Sequence, residues 1–184
     1  MNSRFLIYAL FLFVGIGNVW SQNEKKLKDL AFENAQAASN ATISMDFETV
    51  LKYTLPSVVE LMGGKEAAVP MLTAQFDKMT ADGFVFEKAE VKRIVDFRKE
   101  NDEYRCIVES YNEMRMPEMK INSKSFLLGV YNQEVEHWYF VETKQLKNPS
   151  LRELVLPDFQ TEMELPEDEM TTEMIEKTIE SKED

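Results

Sequence analysis

The chain has 184 residues and a formal net charge of −12, with 33 acidic residues against 21 basic ones. This balance excludes nucleic acids and anionic membrane surfaces as partners, because both are bound through basic surfaces. Cys106 is the only cysteine and His137 the only histidine, so no intramolecular disulfide can form and no zinc-ligand spacing is present.

The N-terminus has the pattern of a secretory signal peptide over residues 1–21. Arg4 is the single charge, an apolar run follows over residues 5–16, and Val19-Trp20-Ser21 offers small residues for cleavage before Gln22. An uncleaved membrane anchor is the alternative, but the run is shorter than the ~20 apolar residues that a spanning helix needs. We therefore expect a secreted or periplasmic protein that has no membrane segment after cleavage.

Helical periodicity dominates the first half of the mature chain. Residues 23–38 are predicted to form a loosely docked or frayed helix with Leu27, Leu30 and Ala31 on one face. A break at residues 39–42 should end this helix.

Three shorter helices are predicted after this lead-in. Asp46 is suited to cap the first, and Pro56 to begin the second, which runs to Met62. Gly63-Gly64 should end the second helix, and a third should close at Ala81 before Gly83.

From Phe84 onward the apolar pattern changes to the alternation of strands. Strands are predicted at residues 84–97, 103–116, 123–131 and 134–143. Helices followed by consecutive antiparallel strands give the α+β class, with helices packed on a curved antiparallel sheet.

The last of these strands is apolar on both faces. Alternation places Trp138 and Phe140 on one side, and His137, Tyr139 and Val141 on the other. Both sides need a cover because a large exposed apolar patch is unfavourable. The helices should cover one face, and either a partner subunit or the segment 151–159 the other.

The C-terminal part is acidic: residues 157–184 hold eleven carboxylates and only two lysines. Before it, a short helical stretch offers apolar docking groups at Leu151, Leu154, Val155 and Leu156. Charge repulsion favours a disordered tail, and an amphipathic helix through Met170, Met174 and Ile175 is the alternative. The predicted divisions are a signal peptide at 1–21, a helical lead-in at 22–45, a folded domain at 46–156 and an acidic tail at 157–184.

The order of these elements resembles a known superfamily. The elements are Tyr53-x-x-Pro56, Gly63-Gly64-Lys65, Met79-x-x-x-Gly83 and the strand His137–Val141. Together they resemble the nuclear transport factor two-like superfamily, the α+β cone shared with ketosteroid isomerases and SnoaL-like proteins, and in particular its small exported bacterial members. The resemblance implies a sheet curled around helices, a conical pocket between them, and a homodimer through the outer sheet face.

The pocket implied by the resemblance suggests a binding function. We expect a non-catalytic protein that holds a small apolar ligand or a partner protein, with Tyr53, Tyr111, Trp138 and Phe140 lining the pocket. The alternative is an isomerase- or hydratase-type enzyme that uses a pocket carboxylate and a tyrosine. Tyr53, Tyr104, Tyr111 and Asp77 have the right chemistry, but their spacing matches no catalytic pattern, so no catalytic residue is assigned.

No cofactor or metal is predicted. Cys106 lies in a strand-like run, which indicates a buried and inert thiol. His137 has no second histidine at metal-ligand spacing. Met114, Met116 and Met119 suit copper(I) by ligand type, but Pro117 interrupts them and methionine is common packing material.

Overall fold

The computed structural model describes the backbone of residues 3–175 and the side chains of residues 22–175. It confirms the α+β class: helices pack against a curved, five-stranded antiparallel sheet. The helices are α1 Ser3–Ile43, α2 Phe47–Tyr53, α3 Pro56–Leu61, α4 Lys65–Ala81, α5 Thr143–Lys147 and α6 Pro149–Val155. The strands are β1 Val85–Glu100, β2 Glu103–Met116, β3 Met119–Asn132, β4 His137–Glu142 and β5 Glu169–Met174.

The sheet has the order β1-β2-β3-β4, and its third strand has two partners along one edge. The C-terminal part of β3, from Leu127 to Asn132, pairs with β4. The N-terminal part, from Met119 to Lys124, pairs with β5. Three register shifts along β1 mark bulges, which bend and twist a strand.

The strand β4 is apolar on both faces, as the alternation predicted. Trp138 and Phe140 belong to the core layer between the sheet and α1, which we call the inner layer. Val141 belongs to a second core layer on the opposite side, the outer layer, against which Tyr139 packs. The strand is shorter than predicted because Asn132 Oδ1 accepts the N–H groups of Glu134 and Val135, which holds residues 133–136 in a turn.

The N-terminal helix is part of the core, which corrects the expectation of a loosely docked lead-in. Leu27, Ala31 and Ala35 are buried in the inner layer. The Trp138 indole N–H donates to the Leu27 carbonyl at 3.1 Å. The predicted break at 39–42 is also wrong, because the helix continues to Ile43 and the Ser44 N–H still donates to the Asn40 carbonyl at 3.1 Å.

The shorter helices begin and end as predicted. Asp46 caps α2 by accepting the Thr49 N–H at 3.1 Å, and Pro56 is the first residue of α3. Gly63 and Gly64 have φ of 89° and 82°, the left-handed region that glycine enters without strain. The helix α4 begins at Lys65, so Pro70 lies inside it rather than at its start.

The outer layer is covered by the chain's own C-terminal segment. Leu146, Val155 and Met163 are buried there, with Phe159 and Leu165 packed against them. Leu151 and Leu154 do not dock, since they are 43% and 57% exposed. The homodimer stays a prediction, but an uncovered apolar face at these residues is no longer a reason for it.

The acidic segment is folded up to Ile175, so both interpretations of residues 157–175 were wrong. The alternation of Met170, Thr172 and Met174 with polar residues belongs to β5 rather than to a helix. Repulsion among the carboxylates does not keep the segment from docking, because they form ion pairs with basic residues of the sheet and of α5. The pairs are Glu162 with Arg98, Glu167 with Lys147, Asp168 with Lys144 and Glu169 with Lys124. Residues 176–184 lie outside the described residues.

Within the described part of the chain, no helix combines the length and apolar character that crossing a membrane requires. The predicted signal peptide at 1–21 lies outside the residues whose side chains are described.

Arg105 should be the main polar link between the sheet and the C-terminal segment. Its guanidinium donates to Glu103 at 2.7 Å, to Glu100 at 3.3 Å and to the Gln160 carbonyl at 2.7 Å. Arg105→Met leaves the largely buried Glu100 carboxylate without its cation, so we expect a loss of about 3 kcal/mol in the free energy of unfolding. Urea unfolding measures this loss, and hydrogen exchange at residues 160–163 should rise with it.

The matched control is Arg98→Met, which removes a half-exposed guanidinium that lies 2.9 Å from Asp96 and 3.9 Å from the exposed Glu162 of the C-terminal segment. Its expected cost is below about 1 kcal/mol because exposed ion pairs contribute little. Equal losses for the two variants would contradict the assigned role of Arg105.

Candidate functional site

An open pocket of about 640 Å³ lies between the helices and the inner face of the sheet. The C-terminal end of α1, the helices α2, α3 and α4, and the strands β1 to β5 all contribute to its lining. Its walls are mainly apolar and include Val50, Leu51, Val58, Met62, Leu72 and Phe86. A concave, mostly apolar cavity of this size is the usual setting for a small-molecule ligand.

The floor of the pocket is polar and uncharged. Ser110 and Asn112 come from β2, and Ser123 and Ser125 from β3. In the register of the sheet, Ser110 lies opposite Ser125 and Asn112 lies opposite Ser123. The Asn112 side-chain amide donates to Ser125 Oγ at 3.3 Å. Four hydrogen-bonding side chains thus share one patch of the inner face.

Ser110 differs from the rest of this floor because its hydroxyl is buried and has no partner in the protein. The residue is 4% exposed, and its Oγ makes no hydrogen bond. Asn122 Oδ1 is the other buried side-chain atom in this condition among the described residues, and Asn122 does not line the pocket. A buried hydroxyl without a partner is unfavourable, so the pocket carries an unmet hydrogen-bonding capacity.

One side of the pocket carries charged groups that are already paired. Lys144 Nζ lies 2.9 Å from a Glu142 oxygen and 4.0 Å from an Asp168 oxygen. Asp168 also accepts the backbone N–H of Phe126 at 3.1 Å. The three groups form a local network.

Two of the four predicted lining residues, Tyr53 and Phe140, do line the pocket. The Tyr53 ring stacks on the His137 ring with centroids 4.9 Å apart. Phe140 lies opposite Gly129, where a Cβ atom would come within 2.9 Å of the Phe140 ring and 2.6 Å of Cys106 Sγ. Because Gly129 has no side chain, the Phe140 ring can pack directly against the backbone of β3 at this position.

The other two, Tyr111 and Trp138, do not line the pocket, which corrects the prediction. Tyr111 lies between Ser110 and Asn112 on β2, so its side chain projects from the opposite face of the sheet. There its ring lies near Lys88 and Lys92. Trp138 is on the inner face but is 0% exposed beneath α1. Its indole contributes to packing rather than to the pocket wall.

The residues considered for catalysis are not brought together. Asp77 is exposed on α4, and the Tyr104 ring packs near Phe97 and Tyr131. The carboxylates lining the pocket among the described residues are Glu142 and Asp168, and both contact Lys144. Tyr53 lines the same pocket, but among the described residues its hydroxyl makes no hydrogen bond to Glu142 or Asp168.

His137 and Cys106 are both committed to structural contacts. The His137 Nε2–H donates to the Lys52 carbonyl at 3.1 Å, and burial, with the nearby Lys52 charge, lowers the pKa of His137. Cys106 is fully buried in the inner layer, and burial raises the pKa of its thiol to about 12. No group of three or more His, Cys, Asp or Glu side chains in the described part of the chain is arranged to hold a metal ion.

The polar floor was missed by sequence reasoning, although a signal for it exists. Ser110 and Asn112 continue the face of β2 that carries the buried Cys106 and Val108. Small polar residues at positions that alternation turns inward indicate either a cavity or a buried polar network. The contribution of Ser125 has no comparable signal, because it depends on the register between β2 and β3.

Comparison with known proteins adds no relative: no protein family, curated protein or solved structure matches this chain significantly. The resemblance to the nuclear transport factor two-like superfamily stays a prediction based on the order of elements.

The buried thiol of Cys106 should make stability depend on pH in the alkaline range. Folding raises the pKa of this thiol from 9.0 to about 12, so the unfolded chain loses the thiol proton first. Its contribution is intact below pH 9 and decreases above it, by up to about 1.4 kcal/mol for each pH unit.

Cys106→Ala removes this titration, whereas the other alkaline groups remain in both proteins. The free energy of unfolding, measured by urea at several pH values above 9, should therefore fall more steeply in the wild type. Parallel curves for the two proteins would show that the thiol does not titrate as inferred.

Proposed function

We propose that this chain is an exported, non-catalytic binding protein that holds a small, largely apolar ligand in the pocket between helices and sheet. The observation that carries the proposal is the open cavity of about 640 Å³ with apolar walls and an uncharged polar floor. Cavities that bind small molecules have volumes of roughly 300–1,000 Å³ and combine apolar walls with a few polar groups.

The side chains of the wall can adapt to apolar ligands of different shapes. Tyr53 and Phe140 supply flat aromatic surfaces, which contribute large contact areas. Met62, Met114 and Met170 supply flexible thioethers that fill irregular gaps. The apolar part of a ligand would contact these groups, and burial of its surface would drive binding.

Binding is favoured over catalysis by the charges of the pocket. Glu142 and Asp168 contact Lys144, and Asp168 also accepts a backbone N–H, so neither faces Tyr53 as an isolated acid or base. The proposals of export and of membership in the cone superfamily rest on the pattern of residues 1–21 and on the order of elements. A partner protein as occupant and the homodimer remain predictions.

A bulky side chain introduced into the wall should abolish ligand binding. Ser39 lines the pocket from α1, so Ser39→Trp places an indole in the cavity. Binding of the neutral apolar dye N-phenylnaphthylamine, followed by its fluorescence, should weaken at least about tenfold, a change of 1.4 kcal/mol.

The matched control is Ser150→Trp, which introduces the same side chain at an exposed position of α6 outside the pocket. This variant should bind the dye as the wild type does. Equal dye binding by both variants, or none by the wild type, would refute the pocket as a ligand site. Comparing proteins with identical N-termini removes any contribution of the apolar run at residues 5–16.

A further inference from the structure

We propose that the ligand is a neutral molecule with an apolar body and one hydroxyl group, and that Ser110 and Asn112 bind this hydroxyl on the pocket floor. The inference rests on the proposed function and specifies the chemical class of its ligand.

The first support is the unmet hydrogen bond of Ser110. Its side chain is buried, lines the pocket and has no partner for Oγ in the protein. A serine hydroxyl is both a donor and an acceptor, and leaving it unpaired in a desolvated site costs free energy. Ser110 Oγ is enclosed by neighbouring atoms, so a ligand atom reaches it when the side chain rotates about its Cα–Cβ bond toward the pocket. The hydrogen bond formed there recovers this free energy and selects ligands with a polar group close to the floor.

The second support is the arrangement of donors and acceptors around Ser110. Asn112 donates from its amide nitrogen to Ser125 Oγ, which leaves the Asn112 amide oxygen as an acceptor. The Ser110 hydroxyl can donate. A ligand hydroxyl satisfies both groups, because it accepts from Ser110 and donates to Asn112. A ketone or ether accepts only and would satisfy one of them.

The third support is the electrostatics of the pocket. Ser110, Asn112, Ser123 and Ser125 are uncharged, so the floor offers no counter-ion to a carboxylate or an ammonium group. Lys144 is the cation among the described lining residues, and it already contacts two carboxylates, Glu142 and Asp168. An anionic head group would meet a net negative side of the pocket without an unpaired cation, which disfavours it.

The experiment compares ligands that share one ring system: naphthalene, naphthol and naphthoate. Each is titrated into the full chain by calorimetry at neutral pH, where naphthol is uncharged and naphthoate is an anion. We expect naphthol to bind about five- to tenfold more tightly than naphthalene, the gain from one or two satisfied hydrogen bonds. Naphthoate should bind more weakly than naphthol.

Ser110→Ala tests the residue, and it should fold because it removes a buried hydroxyl that has no partner. The variant should lose the preference for naphthol over naphthalene, so that the ratio of the two dissociation constants falls to about one. Ser150→Ala, an exposed serine outside the pocket, should keep the preference.

The outcomes separate the two proposals. If naphthalene and naphthol bind equally, or if naphthoate binds most tightly, the inference about the hydroxyl is overturned while the pocket remains a ligand site. A preference for naphthol that survives in Ser110→Ala removes the assigned role of Ser110. If none of the three ligands binds, the proposed function fails, and the inference fails with it.

Discussion

The structure depends on covering the strand β4 on both faces. Trp138 and Phe140 need an apolar layer on one side, and Val141 needs another on the opposite side. Leaving either side in water would forfeit the burial of several large side chains, each contributing roughly 1.5–3 kcal/mol. The two ends of the chain supply the covers: α1 lies on the inner face, and the segment that contains Val155 and Met163 lies on the outer face.

The same arrangement explains why a cavity exists at one place in the inner layer and not at another. Around Trp138 the indole and the rings of Phe97 and Tyr131 fill the space beneath α1. Farther along the sheet the facing residues are small, with Ser110 on the strand and Ala38 on the helix. Protein interiors are packed densely, so facing small side chains leave space that their neighbours do not fill. The pocket is thus a consequence of side-chain size along one continuous face.

The acidic C-terminal segment shows that net charge does not decide whether a segment docks. Its carboxylates lie near lysines and arginines of the sheet and of α5, and its apolar groups reach the outer layer. Each exposed pair contributes little, but the pairs remove the repulsion that the composition suggests. The open edge of β3 beside β4 then supplies backbone hydrogen bonds to β5, which also brings Met170 to the pocket.

Local patterns in the sequence determined the elements and their faces. Alternation alone placed Trp138 and Phe140 opposite Val141, and cap residues such as Asp46 and Gly63 located the helix ends. These features depend on near neighbours in the chain, so the sequence contains the information directly.

Only the tertiary structure decided which residues meet across long sequence separations. The register of β2 and β3 brought Ser110 opposite Ser125. The packing of the helices decided which face of β2 became the pocket floor, and that face is the one opposite Tyr111. The docking of residues 157–175 likewise depended on cations distant in sequence. Periodicity specifies the face on which a side chain lies, but the partner across that face is set by the packing of the whole chain.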